Sequence, residues 1–178
     1  MKKILSLMII CLTAVCVAQD ETTPDKTPDV APVTSYVAVV GEKLVYDARL
    51  VTQTGEVIAC EQHVTLQSLQ PEIQLKLQAF KKADQSLLEE TVDVWKPTPD
   101  SLIKDIIAKI DNARITPMVV DNKRFRCLIV TMNNHTLWLV LDDDNKHVYP
   151  GVLKVSTHQD GQEIVILELK QIIQPAKK

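Results

Sequence analysis

Glycine and aromatic residues are scarce in this chain. Four glycines, Gly41, Gly55, Gly151 and Gly161, are scattered through 178 residues, so no glycine-rich loop can cradle a phosphate. Aromatic residues make up 4% of the chain, which weakens any reading as a stacking platform for sugars or nucleic acids. Beyond the N-terminus no apolar run approaches the roughly 20 residues of a membrane span. Catalytic and metal motifs are missing too. There is no GxSxG elbow and no HExxH pair, and His63, His135, His147 and His158 stand apart in sequence. Asp142-Asp143-Asp144-Asn145 departs from a calcium loop, because the sixth position is His147 where glycine is required. No cofactor or metal motif is present, and the expectation is a non-enzymatic protein.

What is present begins at the N-terminus. Lys2 and Lys3 precede an apolar stretch, Ile4 to Val15, and Cys16-Val17-Ala18 approximates a small-x-small cleavage site. A signal peptide over residues 1–18, cut after about Ala18, predicts export to the periplasm or the extracellular space. A lipoprotein signal fits less well, because Val15 precedes Cys16 and Ile10 precedes Cys11 where a small residue is needed. Cleavage removes two lysines and no acid, moving the net charge from −3 to about −5. That balance argues against a nucleic-acid or anionic-membrane partner held by charge. Residues 19–35 carry Pro24, Pro28 and Pro32 among polar residues and read as a flexible tether. Residues 36–174 form one domain, and 175–178 a frayed tail.

Two of the four cysteines remain after cleavage, Cys60 and Cys127. Export permits a disulfide between them. Their apolar flanks, VIAC and CLIV, suit buried thiols equally. Two cysteines are too few for a disulfide scaffold.

The domain reads as a series of strands. Leu44, Tyr46, Ala48 and Leu50 alternate with polar residues, as do Ile73, Leu75, Leu77 and Ala79. Thr54-Gly55, Lys82-Ala83-Asp84, Asp121-Asn122-Lys123 and Asp160-Gly161 are turn signals between strands. TLWLVL, residues 136–141, is apolar on both parities and predicts a central strand covered on both faces. One segment breaks the period. Apolar residues at 102, 103, 106, 107 and 110 predict a helix from Pro99 to about Ile110, with Thr98 as cap and Pro99 in the first helical position. The fold class is mainly β: a highly curved antiparallel sheet or open half-barrel of about nine strands, with one helix on its concave side.

VVDNKRFRCLIV, followed by TLWLVLDDDNKHVYPGVLKVSTHQDGQEIVILELKQI, resembles bacterial secreted proteins of the LolA/LolB-like half-barrel kind. The resemblance rests on Phe125-Arg126-Cys127, Trp138, Pro150-Gly151-Val152-Leu153-Lys154 and Glu163 to Leu169, within residues 118–173. It implies a curved sheet that handles lipid-linked or hydrophobic cargo. In this setting Pro150-Gly151 is expected to bend the chain between the tryptophan strand and the next.

Two functional readings follow. The first is an exported binding module for a hydrophobic or lipid-like ligand. Its expected lining is Leu75, Leu77, Val92, Val94, Trp138 and Val155 from the sheet, with Ile103, Ile106 and Ile107 of the helix as a lid. The second is a cell-envelope structural or interaction module with a filled core and a protein partner. An apolar cavity of some hundreds of Å³ would favour the first, and a filled core with an exposed apolar edge the second.

Overall fold

The computed structural model describes residues 33–176 apart from residue 53. The expected signal peptide and most of the expected tether lie outside the described residues. Within them the order is β1 (Thr34–Ser35), β2 (Lys43–Val51), β3 (Val57–Ser68), β4 (Gln74–Lys81), β5 (Leu87–Val94), α1 (Asp100–Lys109), β6 (Arg114–Val120), β7 (Lys123–Met132), β8 (His135–Leu141), β9 (His147–Gln159) and β10 (Gln162–Ile173). All ten strands belong to one open sheet. No described helix is long and apolar enough to cross a membrane.

Two antiparallel meanders, β2 to β5 and β6 to β10, are joined by β10 pairing with β2. The spatial order is therefore β6-β7-β8-β9-β10-β2-β3-β4-β5, with β6 and β5 at the edges among the described residues. Short turns set the local register. Asp121-Asn122 and Asp160-Gly161 hold positive φ at both positions, the conformation that matches the twist of a two-residue hairpin.

The sheet curls around its main core. Leu44 and Tyr46 of β2, Leu66 of β3, Leu75 of β4, Phe125 and Cys127 of β7, Leu153 of β9 and Leu169 of β10 form one buried cluster. On β7 the odd positions face this core. The even positions Leu128 and Val130 face the other side, where they meet Leu139 and Leu141 of β8 and Ile103 of α1. The 136–141 run is thus covered on both faces, as its pattern predicts.

This parity corrects the expected place of the helix. β6 and β10 approach each other although three strands separate them, and Val120 of β6 shares the main core with Ile172 of β10. The sheet is therefore concave on the main-core side, and α1 packs on the convex face. Concave space is already filled by aliphatic side chains. The even positions of β7 and odd positions of β8 would otherwise leave an apolar patch in water, and α1 covers it. Ile103 is fully buried there, a burial worth about 1.5–3 kcal/mol.

The helix also begins one residue later than expected. Pro99 is the N-cap residue and makes no side-chain cap. Its carbonyl accepts from the Leu102 and Ile103 amides, while Thr98 is engaged elsewhere.

Ser35 and Thr34, expected in the tether, pair in parallel with Arg124 and Lys123 of β7. At the other end, Pro175 packs beside Gly41, whose φ is +89°, so the chain is anchored at least to that proline.

Candidate functional site

The sheet is breached beside β7. One edge of β7 pairs with β6. The other edge is shared by two strands meeting end to end: β8 reaches Arg126 through Leu141, and β1 reaches Arg124 through Ser35. Phe125, between them, has neither neighbour. A groove of about 640 Å³ opens at this gap, within the range of about 300–1,000 Å³ usual for small-molecule sites.

Its walls differ in chemistry because strand parity separates them. Tyr36, Phe125, Val140 and Tyr149 lie on the main-core side. Tyr36 stacks on Phe125 with ring centroids 4.8 Å apart, and Tyr149 lies 6.5 Å from Tyr36. Arg124 and Arg126 share the parity of Leu128 and Val130, so they stand at the convex mouth with Pro117, Asp142 and Asp143. The breach is thus aromatic within and charged at its rim.

Behind the aromatic wall lies a buried polar cluster. Glu42 is fully buried. Its carboxyl accepts from the Tyr36 hydroxyl and from Gln174 at 3.3 Å. Burial raises the Glu42 pKa above the ordinary carboxylate value, and the hydrogen bonds from Tyr36, Val39 and Gln174 oppose the rise. Burial likewise holds Tyr36, Tyr46 and Tyr149 protonated well above the usual phenol range.

Pro150 and Gly151 shape this region from inside β9 rather than between strands, which corrects the expected position of the bend. Leu139 pairs with Val152 and Leu141 with His147, so residues 148–151 stand opposite Val140 alone. This long bulge carries Val148 and Tyr149 into the groove. His147 pins its base. Nδ1 accepts from the Thr98 amide at 2.9 Å, and Nε2 donates to the Gly151 carbonyl at 2.9 Å. Trp95 lies 5.6 Å from the His147 ring and edge-on to Tyr149. Burial lowers the His147 pKa, partly offset by the Gly151 bond.

The nine expected lining residues do not form one pocket. Leu75 is buried in the main core, and Leu77, Trp138 and Val155 pack against it. Val92 pairs with Lys76 and Val94 with Gln74, while Leu75 and Leu77 oppose Asp93 and Thr91. The two valines therefore lie on the opposite face from Leu75 and Leu77, and Val92 is 59% exposed. Ile103 and Ile106 belong to the convex cluster under α1, and Ile107 is exposed. Trp138 instead receives the Lys154 ammonium, 4.7 Å from its ring centroid.

Cys60 and Cys127 are both free and buried. Burial raises the thiol pKa of Cys60 and pushes that of Cys127 up to about 12, so neither has reactive thiolate character. Among the described residues no group of three or more His, Cys, Asp or Glu side chains gathers as a metal site.

A comparison of the chain with protein-family models and with curated proteins found no match.

Sequence reasoning missed Tyr36, Phe125, Arg124, Arg126 and Tyr149 as a group. One signal was available: Arg124 and Arg126 are charged positions on a strand whose next even members, Leu128 and Val130, are apolar. Such a change of character along one face marks where cover ends.

Proposed function

We propose that this protein is an exported, non-enzymatic binding module for a hydrophobic or lipid-like ligand, and that the ligand occupies the breach beside β7. The observation that carries the reading is a groove of about 640 Å³ walled by Tyr36, Phe125 and Tyr149. The concave sheet is a poorer candidate because its aliphatic side chains fill it. An open, strongly curved antiparallel sheet is also the frame expected of LolA/LolB-like half-barrels, and kinship with them belongs to this proposal.

A second reading has its own support. Edge strand β5 exposes Leu87, Leu88 and Val92 and among the described residues pairs with β4 alone, as an envelope interaction module with a protein partner would require.

Native mass spectrometry of the protein exported from its full-length chain, without detergent, separates the two. A bound species in the lipid mass range, lost on denaturation, supports the ligand reading. A clean apo mass moves the assignment to the interaction module.

A further inference from the structure

The charged rim of the breach bears on the ligand's head group. Arg126 Nη1 donates to the backbone carbonyl of Asp142 at 2.6 Å and, more weakly, to that of Asp143. These acceptors are neutral, so the guanidinium is oriented without being neutralised. Arg124 is exposed two residues away on the same face. Among the described residues, neither arginine forms an ion pair with a carboxylate. The nearby acids are turned to other work or to solvent: Asp142 Oδ1 accepts from the Lys146 amide at 2.8 Å, Asp144 pairs with Lys146, and Asp143 is exposed. Two cations with spare N–H donors thus stand at the mouth of an aromatic cleft. Planar guanidinium groups match a carboxylate or phosphate head.

The interior end is not a second charged site. The Tyr36, Phe125 and Tyr149 rings line it, stacked or tilted against one another. This arrangement suits an alkyl chain entering tail first with its head left at the rim.

We propose that the ligand of the breach is an acidic single-chain amphiphile, whose head group is held by Arg124 and Arg126 and whose chain lies against Tyr36, Phe125 and Tyr149. The inference rests on the ligand reading above and adds the sign of the head group.

Isothermal titration calorimetry on the exported protein at low salt tests it with three probes of one chain length: dodecanoate, dodecanol and dodecyltrimethylammonium, each below its micellar concentration. Dodecanoate should bind about tenfold more tightly than dodecanol, or about 1.4 kcal/mol, and the cationic probe most weakly. Arg124→Gln, an exposed change that leaves the core untouched, should remove most of that preference. Arg126→Lys keeps the charge but loses the fork, and should weaken dodecanoate severalfold. Equal binding of dodecanoate and dodecanol overturns the acidic head group and leaves the hydrophobic site standing. Dodecanoate binding that ignores both arginine variants overturns the assignment to this mouth. Failure of all three probes to bind overturns the ligand reading itself.

Discussion

A Cβ placed on Gly151 would stand 2.8 Å from the indole nitrogen of Trp95. The bulge of β9 and the chain leaving β5 are pressed together at a point where only hydrogen fits. Gly151 also holds φ at +85°, a conformation costing other residues about 1–2 kcal/mol. Gly151→Ala should therefore destabilise the fold by about 3 kcal/mol, strain plus collision. Gly161 has φ +77° and open space around its missing Cβ, so Gly161→Ala should show the strain alone, about 1 kcal/mol. Urea denaturation of both variants measures the difference. Equal losses would mean that the Trp95 contact contributes nothing.

His147 and Glu42 make opposite demands on pH. The bond from the Thr98 amide to Nδ1 requires the neutral ring, and burial holds the folded pKa of His147 below the ordinary 6.5. Its contribution is therefore present above pH 6.5 and lost as pH falls through the folded value. His147→Phe should cost about 2–4 kcal/mol at pH 7.5, by leaving the Thr98 amide and the Gly151 carbonyl unpaired. That cost should shrink on acidification below pH 6.5. A cost independent of pH would contradict the neutral assignment.

Glu42 has its folded pKa above the ordinary 4.5. Its contribution is present below pH 4.5 and is lost as pH rises through the folded value. Glu42→Gln removes the titration, so the stability difference between parent and variant should move in the variant's favour as pH rises from 4.5. Denaturant midpoints at several pH values give the comparison, and a flat difference would place the carboxyl in contact with water.

Ile103 and Ile107 lie one turn apart on α1 and differ in what they cover. Ile103→Ala should cost about 2–4 kcal/mol, because it opens a cavity over Leu128 and Leu139. Ile107, at 37% exposure, should cost well under 1 kcal/mol on the same change, apart from a small gain in helix propensity. Thermal unfolding of the two variants checks the orientation of the helix, and a reversed order would put the other face against the sheet.

Cys60 and Cys127 should both resist alkylation in the folded protein and both react in denaturant without reductant. Intact mass after iodoacetamide treatment reads the outcome directly. Two adducts only on unfolding match the buried free thiols, and none in either state would reveal a bridge formed during export.

Much of the strand architecture was legible because half-buried strands write their burial with period two. Leu44, Tyr46 and Ala48 share one parity in the sequence and one side in the fold. The helix was legible from its spacing, to within a residue at each end. Phase between strands was not. Val92 and Val94 alternate as inward residues would, yet the β4–β5 pairing, with its shift at Ala79/Phe80, sets them opposite Lys76 and Gln74. Alternation names two faces without saying which of them turns inward, and a one-residue slip exchanges them.

By itself the sequence determined a mainly antiparallel β domain with an aliphatic core, one helix, and tight turns at Asp121-Asn122 and Asp160-Gly161, because these depend on neighbours a few residues apart. Tertiary structure alone decided which side the helix covers and where the sheet is breached. Both depend on contacts across long stretches of chain: Ile103 reaching Leu128, and Ser35 meeting Arg124 where β8 has already ended. Local pattern carries no record of which strand ends beside which, and only the curl of the whole sheet brings Tyr36, Phe125 and Tyr149 to one cleft.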